Sequence, residues 1–517
     1  MVRRAVKGMI QLLGGLGAGL AIVISLLAWQ LSKGPISIGF LTEYLERAVN
    51  AGHRDFSLKL GDTILTWAGW ERALDIRVLN VAIRSFNGKT IGSVPEVAFT
   101  LSGSALLAGK IAPQSVEFYG PRVTVRRERD GTIDIGFGVE SAAGSGNLAE
   151  GFLDRLVAPP SLDNPMTFLS RVAIIGGAVT VNDQLLRKVW KLPVADIRLQ
   201  RVADRLRGEL NLVLDEGGRN TELVADGAYI FEGRRIRLDF RFSEVAPAVF
   251  ASVTADLAPL KALNMPFSGT VGVEFPIDGD IEAINVSISG KNGTITLPKP
   301  FQQEIAVAEA KLRARFRAAK GTEVEALELR FPKGTQVHLP KPVDFPEPIS
   351  RLAFVGKFSG DGKDLTIQQL EIDGAGPVLA VSGTLKGIGD EKRPARGTLK
   401  GTVDRMEAVD LPRYWPPSVA PDPRRWVTTH IHKALARDTG FEADFTLGHD
   451  LAFELLSLDG TMKVGDAVVE YLPPMPKVHD GAASIRFDKQ SFTIHVEGGN
   501  RRGWRSRAGG SCSAAST

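Results

Sequence analysis

The residues that could do chemistry are few and scattered. His430 and His432 stand two apart, and imidazole is the commonest metal ligand. The segment Arg424 to Ala436 reads as a helix, however, and on a helix that spacing sends the two rings to different faces. No cysteine or acidic cluster accompanies them, so no metal site is predicted. Serine, histidine and aspartate all occur, yet no nucleophile elbow or phosphate-binding loop lies between a strand and a helix. No catalytic residue and no cofactor is therefore assigned. Cys512 is the only cysteine, which excludes an internal disulfide and a cysteine-based zinc site. Tyr414, Trp415 and Trp426 read as a local core that seats a helix on a sheet. Arg235, Arg237 and Arg241 read as the wet face of a strand.

The elements that must position these residues are mostly strands. From Arg235 to Phe242 the chain alternates without a break. Ile236, Leu238, Phe240 and Phe242 are apolar, and every residue between them is charged. Only a strand with one dry face and one wet face has that period. Val271, Val273 and Phe275 repeat it, as do Val286 with Ile288 and Ile485 with Phe487. These are the candidate lining residues of an apolar trough. Between such runs stand Asn87-Gly88, Asp130-Gly131, Asp226-Gly227, Asn292-Gly293, Asp361-Gly362 and Asp459-Gly460, which predict tight turns. A Gly-Thr-apolar triplet recurs from Gly269, Gly293, Gly383, Gly397, Gly401 and Gly460, and each copy reads as the start of a strand. Helices are few: Ile38 to Val49, Asn147 to Val157, Asn164 to Arg171, and Arg424 to Ala436.

Composition agrees with this sheet. In 517 residues there are 55 Gly and 29 Pro, scattered as turn punctuation. Hydrophobic residues make up 44% and charged residues 24%, which excludes a disordered or wholly membrane-embedded body. A net charge of +4 is too slight to point to nucleic acid. Met9 to Leu31 carries no charged side chain, is about long enough to cross a bilayer as a helix, and follows Arg3, Arg4 and Lys7. The expectation is a single transmembrane anchor containing Ile10, Leu20, Ile24, Leu27 and Trp29, with a cytoplasmic N-terminus and an exported body. An alternating sheet must cover its apolar face with another layer or curl around it. Roughly 400 strand-rich residues give about 36 strands and a trough on the order of 170 Å, as an upper bound.

Three stretches resemble a known family. The first is the apolar N-terminal segment with Gly34-Pro35-Ile36-Ser37 and the helix near Phe40 to Asn50. The second is Val94-Pro95-Glu96-Val97 with Gly120-Pro121-Arg122-Val123 and Asp130-Gly131. The most specific runs from Leu411-Pro412-Arg413-Tyr414-Trp415-Pro416 through Arg425-Trp426-Val427 and Gly460-Thr461-Met462 to Val469-Glu470-Tyr471-Leu472-Pro473. Together they resemble AsmA-like proteins, most closely the YhdP branch. The resemblance implies a bridge-like lipid-transfer protein of the bacterial inner membrane, with an elongated β-groove in the periplasm along which phospholipid moves toward the outer membrane. It implies phospholipids and the inner membrane as partners, with outer-membrane or periplasmic envelope proteins beside them, and no catalysis.

The expected architecture is mainly β: a single N-terminal transmembrane helix followed by an elongated, curled antiparallel β-groove with a few short helices. Residues 1–33 are assigned to the cytoplasmic N-terminus and anchor, and 34–140 to an N-terminal AsmA-like β segment with its juxtamembrane helix. Residues 141–400 are assigned to a repetitive groove and 401–499 to a YhdP-like central segment. From 500 to 517 the period stops, and an atypical tail follows, disordered or frame-shifted. YhdP-like chains are longer, so a truncated chain is expected, its continuation supplying more groove. The alternative function is a non-enzymatic envelope scaffold supporting outer-membrane biogenesis. On that reading the outer, charged face would matter more than the trough.

Overall fold

A computed structural model describes residues 33–50, 56–66, 75–85, 90–129, 133–134, 161–185, 188–215, 220–251, 255–277, 279–298, 301–338, 346–374, 376–390, 393–415, 420–448, 452–471, 475–501, 504–506 and 510–515, with Gly19, Ser25, Trp29, Gln30 and Val157. Strand dominates the described residues, at 68%. The period-two runs bury one face of each ladder while backbone groups pair sideways. The chain divides into two compact units, Met1–Arg241 and Phe242–Thr517.

In the first unit β1 (Ile36–Ser37) precedes helix α1 (Gly39–Asn50), within a residue of the expected Ile38 to Val49. Then come β2 (Phe56–Lys59), β3 (Asp62–Thr66), β4 (Asp75–Ser85) and β5 (Thr90–Leu101). A one-turn helix α2 (Gly103–Leu107) leads to β6 (Pro113–Tyr119), β7 (Arg122–Arg127) and β8 (Ile133–Asp134). Four longer strands follow: β9 (Arg171–Asp183), β10 (Lys188–Val202), β11 (Arg205–Asp215) and β12 (Asn220–Ile230). β9 runs parallel to both β6 and β7, while β9 to β12 form an antiparallel meander. Val78, Val81, Val94 and Val97 form the core of β4 and β5, backed by Phe99, Val116 and Phe118. β13 (Arg235–Val245) carries the unit boundary within it.

The second unit opens with β14 (Leu263–Asn264), β15 (Phe267–Pro276), β16 (Ala283–Thr296), β17 (Glu304–Arg317) and β18 (Gly321–Arg330). A small hairpin of β19 (Gln336–His338) and β20 (Pro346–Pro348) stands aside. Then follow β21 (Arg351–Phe358), β22 (Asp364–Asp373), β23 (Val378–Lys386) and β24 (Ala395–Glu407). Helices α3 (Leu411–Tyr414) and α4 (Pro421–His430) interrupt the meander before β25 (Ile431–Leu447) and β26 (Phe453–Val469). It closes with β27 (Val478–Asp488), β28 (Ser491–Arg501), β29 (Trp504–Ser506) and β30 (Gly510–Ala515). β30 pairs with β28, from Ser491↔Ala515 to Val496↔Gly510, so backbone pairing reaches into a stretch without strand period.

The expected membrane-spanning helix is not supported. No helix among the described residues is long and apolar enough to cross a membrane. The longest described helix, α1, has 12 residues; at 1.5 Å per residue that is about 18 Å, against about 30 Å of hydrocarbon. It also carries Glu43, Glu46 and Arg47. Of the anchor residues, Trp29 is helical and exposed, with the Lys33 ammonium 3.5 Å from its ring centroid. Ile10, Leu20, Ile24 and Leu27 lie outside the described residues.

Several local expectations also change. Asp361-Gly362 is the turn between β21 and β22, with Gly362 at φ 72°. Asp226-Gly227, Asn292-Gly293 and Asp459-Gly460 instead lie inside β12, β16 and β26. Asn87-Gly88 and Asp130-Gly131 lie outside the described residues. All six glycines of the Gly-Thr triplets are likewise inside strands, not at their starts. Most of Asn147 to Val157 is outside the described residues, and the Asn164 to Arg171 segment is a single 3₁₀ turn, Pro165–Phe168, before β9. Helix α4 stops at His430, because from Ile431 the backbone pairs with Val469 of β26.

Candidate functional site

The ladder register of the second unit joins the alternating strands into rows. One row runs Gly269, Ile288, Leu312, Leu327, Phe354, Leu370, Val381, Gly401, Phe441, Gly460, Phe487, Phe492, each residue directly paired with the next. It crosses β15 to β18 and β21 to β28 without one polar side chain. Paired residues project to the same face, so this is a continuous apolar stripe. Eleven steps of about 4.8 Å give a contour of roughly 50 Å. A parallel row runs Val271, Val286, Ala314, Val324, Gly356, Ile367, Gly383, Leu399, Ala443. Most of these side chains are half-buried rather than buried.

The opposite face is polar over the same strands. Its matching row runs Ser289, Lys311, Glu328, Ala353, Glu371, Ala380, Thr402, Gly440, Thr461, Arg486 and Thr493, with only small residues between the polar ones. Charges there pair along the ladder. Arg330 bonds Glu328 at 2.8 Å, and Arg351 bonds Glu328 at 3.3 Å and Glu371 at 2.6 Å. Partial desolvation works to raise the Glu328 carboxyl, but the hydrogen bonds and charges of Arg330 and Arg351 outweigh it and hold it below the ordinary range.

Glycine makes the stripe flat. A Cβ on Gly397 would stand inside the Phe445 ring, one on Gly401 inside Phe441, and one on Gly460 inside Phe487. Each phenylalanine is the glycine's paired neighbour. The aromatic ring lies down across the position where a side chain would otherwise stand. That is the role of three of the six Gly-Thr triplets; Gly269 and Gly383 instead face neighbouring backbone, and Gly293 faces Met265.

At its β27–β28 end the stripe is capped. Phe487 stacks on Phe492 at 5.5 Å between centroids, and Phe492 stacks on Trp415 at 4.7 Å. Trp415, Ala420 and Val427 are buried there against Leu411 and Ile431. The Arg424 guanidinium donates to the carbonyls of Trp415 at 2.7 Å and Pro412 at 2.9 Å, tying α3 to α4. Beside the stack is a recess of about 450 Å³, counting its part open to solvent. Strand residues Met406, Ala436, Met462, Ile485 and Ile494 line it below, and Leu411 and Val427 line it from the helices. The strands bend there: Asp438, Asp466 and Asp480 take φ of 48°, 55° and 51° at shifts in the ladder register. Aspartate tolerates that left-handed conformation, and bulges of this kind increase local curvature.

The structure distributes the sequence-predicted lining residues as follows. Val271, Val273, Val286 and Ile288 meet across β15 and β16. Phe487 lies in the long row, and Ile485 beside it lines the recess. Phe275 is half-buried on β15. Phe242 packs on the Met265 and Phe267 cluster. Ile236, Leu238 and Phe240 belong to the first unit, where Leu238 leans over Gly227 with Cδ2 3.0 Å from its would-be Cβ. Sequence reasoning missed Phe354, Leu370 and Phe441. For Phe441 the signal was present, since its partner is the glycine of a repeated triplet.

His430 ends α4 with its ring stacked on Trp426 at 5.3 Å, and His432 on β25 bonds Glu470 at 2.8 Å. Hydrogen bonds from His432 and Lys477 hold the Glu470 carboxyl below the ordinary range. Among the described residues no group of three or more such side chains could hold a metal ion. No protein-family model matches the chain, and neither does any curated protein or solved structure.

Proposed function

We propose that this protein carries phospholipid on its apolar face, working in the bacterial periplasm between the inner and outer membranes as a bridge-like lipid-transfer protein of AsmA-like, YhdP-branch type. The observation behind this reading is the unbroken apolar row across twelve strands with a polar row behind it. A closed sandwich would bury such a row fully against a second layer. Half-buried side chains with no hydrogen-bonding group among them suit a hydrocarbon chain, which needs burial and offers no polar partner. A lipid could then move stepwise, because neighbouring positions are chemically alike.

The test is lipid recovery from the full-length protein. Purified protein should carry phospholipid detectable by mass spectrometry. Val273→Asp or Ile288→Asp places a charge in the lipid's path, where an unpaired carboxylate costs several kcal/mol. Either should cut bound lipid and transfer between vesicles about tenfold or more. Arg313→Glu, on the exposed face, should leave both unchanged. Normal loading and transfer in the two aspartate variants would refute the proposal.

A further inference from the structure

We infer that the recess beside the Trp415 stack is a site for one linear acyl chain, held end-on beneath α3 and α4. This rests on the lipid-carrying reading above and goes beyond it. It assigns a fixed seat at one end of the stripe, distinct from the positions along it.

The lining itself specifies the occupant. Every side chain around the recess is apolar, so it offers nothing to a sugar, nucleotide or peptide. A water there would lack the two to four polar partners that buried water needs. The space comes from small residues, Ala434 and Ala436, while Met406 and Met462 are unbranched and adapt to an irregular chain. The recess adjoins the stripe in register, since Met462 pairs with Ile485 two residues along from the Gly460–Phe487 pair and on the same face. A chain in the recess can therefore keep its polar end outside. The stacked rings of Phe487, Phe492 and Trp415 close the stripe beside it.

Photolabelling of the full-length protein tests this. Two probes carry the same diazirine on an acyl chain: free palmitic acid, and a phosphatidylethanolamine. Peptides containing Met462 and Ile485 should be labelled, and excess unlabelled palmitate should suppress that labelling. Ala436→Trp fills the space and should lower labelling there about tenfold, leaving labelling at Val286 and Ile288 intact. The two probes separate a free fatty acid from a bilayer lipid as the source, and recess labelling by either supports the site. Competition in the unsubstituted protein decides the matter even if the tryptophan variant folds poorly. Labelling at Val286 and Ile288 with none in the recess would overturn this site and leave lipid carriage standing. Recess labelling with none along the stripe would support the site and count against carriage. No labelling at either place would overturn both.

Discussion

The two units bury their side chains differently. In the first, β9 lies parallel to β6 and β7, and carboxylates end up inside. Asp75, Glu117 and Asp183 are 3%, 5% and 3% exposed. Each has a partner: Arg77 on Asp75 at 3.0 Å, the Tyr119 hydroxyl on Glu117 at 2.6 Å, and Arg127 on Asp183 at 3.4 Å. In the second unit strands pair in chain order across twelve strands, and the alternation sorts polar from apolar by face. Its described charged residues are none of them buried. The lesson is topological. Glu117 and Asp183 lie on strands in parallel pairings, where both faces tend to be covered, so their charges need partners. A simple meander leaves the wet face outside.

This comparison can be broken by matched substitutions. Val78 in the first unit is 2% exposed, so Val78→Ala should cost about 2–3 kcal/mol. Val271 in the stripe is half-buried, and Val271→Ala should cost about 1 kcal/mol or less. Denaturant unfolding followed by hydrogen exchange in β4 and β15 would measure both. Equal costs would mean that the stripe is covered as completely as the first core.

A smaller effect sharpens the account of the stripe. Gly401→Val forces the Phe441 ring out of place and should cost about 1–3 kcal/mol. Gly440, in the same pair of strands, has open space around its would-be Cβ. Gly440→Ala should therefore be near neutral by thermal melting. A benign Gly401→Val would remove the reason given for the glycine repeats.

The smallest effect concerns the polar face. Glu328 has a lowered folded-state value, so its contribution is fully present above the unfolded carboxylate value of about 4.3 and is lost as pH falls through the folded value. Glu328→Gln should lower stability at pH 7 by at most about 1 kcal/mol, since its partners are solvent-exposed. The gap between the two melting temperatures should hold down to about pH 5 and close below about pH 4. A gap that widens in acid would show that Arg330 and Arg351 do not stabilise the carboxylate.

Parts of this were legible in the residues and parts were not. The alternation from Arg235 to Phe242 reappears as a strand with Arg237, Asp239 and Arg241 exposed and Leu238, Phe240 and Phe242 half-buried. Trp415 seats a helix on the sheet, as its type and neighbours suggested. Trp426 does not: it is 37% exposed and stacks on His430. The glycine signals were misread because turn chemistry and close packing select the same residue. Asp459-Gly460 has the composition of a tight turn, yet Gly460 is needed for a missing side chain beneath Phe487. The helix expected over Arg424 to Ala436 runs past His430 because Lys433-Ala434-Leu435-Ala436 are strong helix formers, yet ladder pairing with β26 overrides that local preference.

The sequence by itself determined that most of this chain is strand and which side of each strand is dry, because a period of two admits only one regular conformation. Only the tertiary structure decided that the dry sides line up as one row. Register between strands far apart in the chain fixes that alignment, and it depends on which backbone groups pair, which no local pattern records. The same holds for the cap and the recess beside it. They exist because Trp415, at the end of a short helix, reaches Phe492 on the last long strand, a contact between residues 415 and 492 that only the assembled ladder brings together.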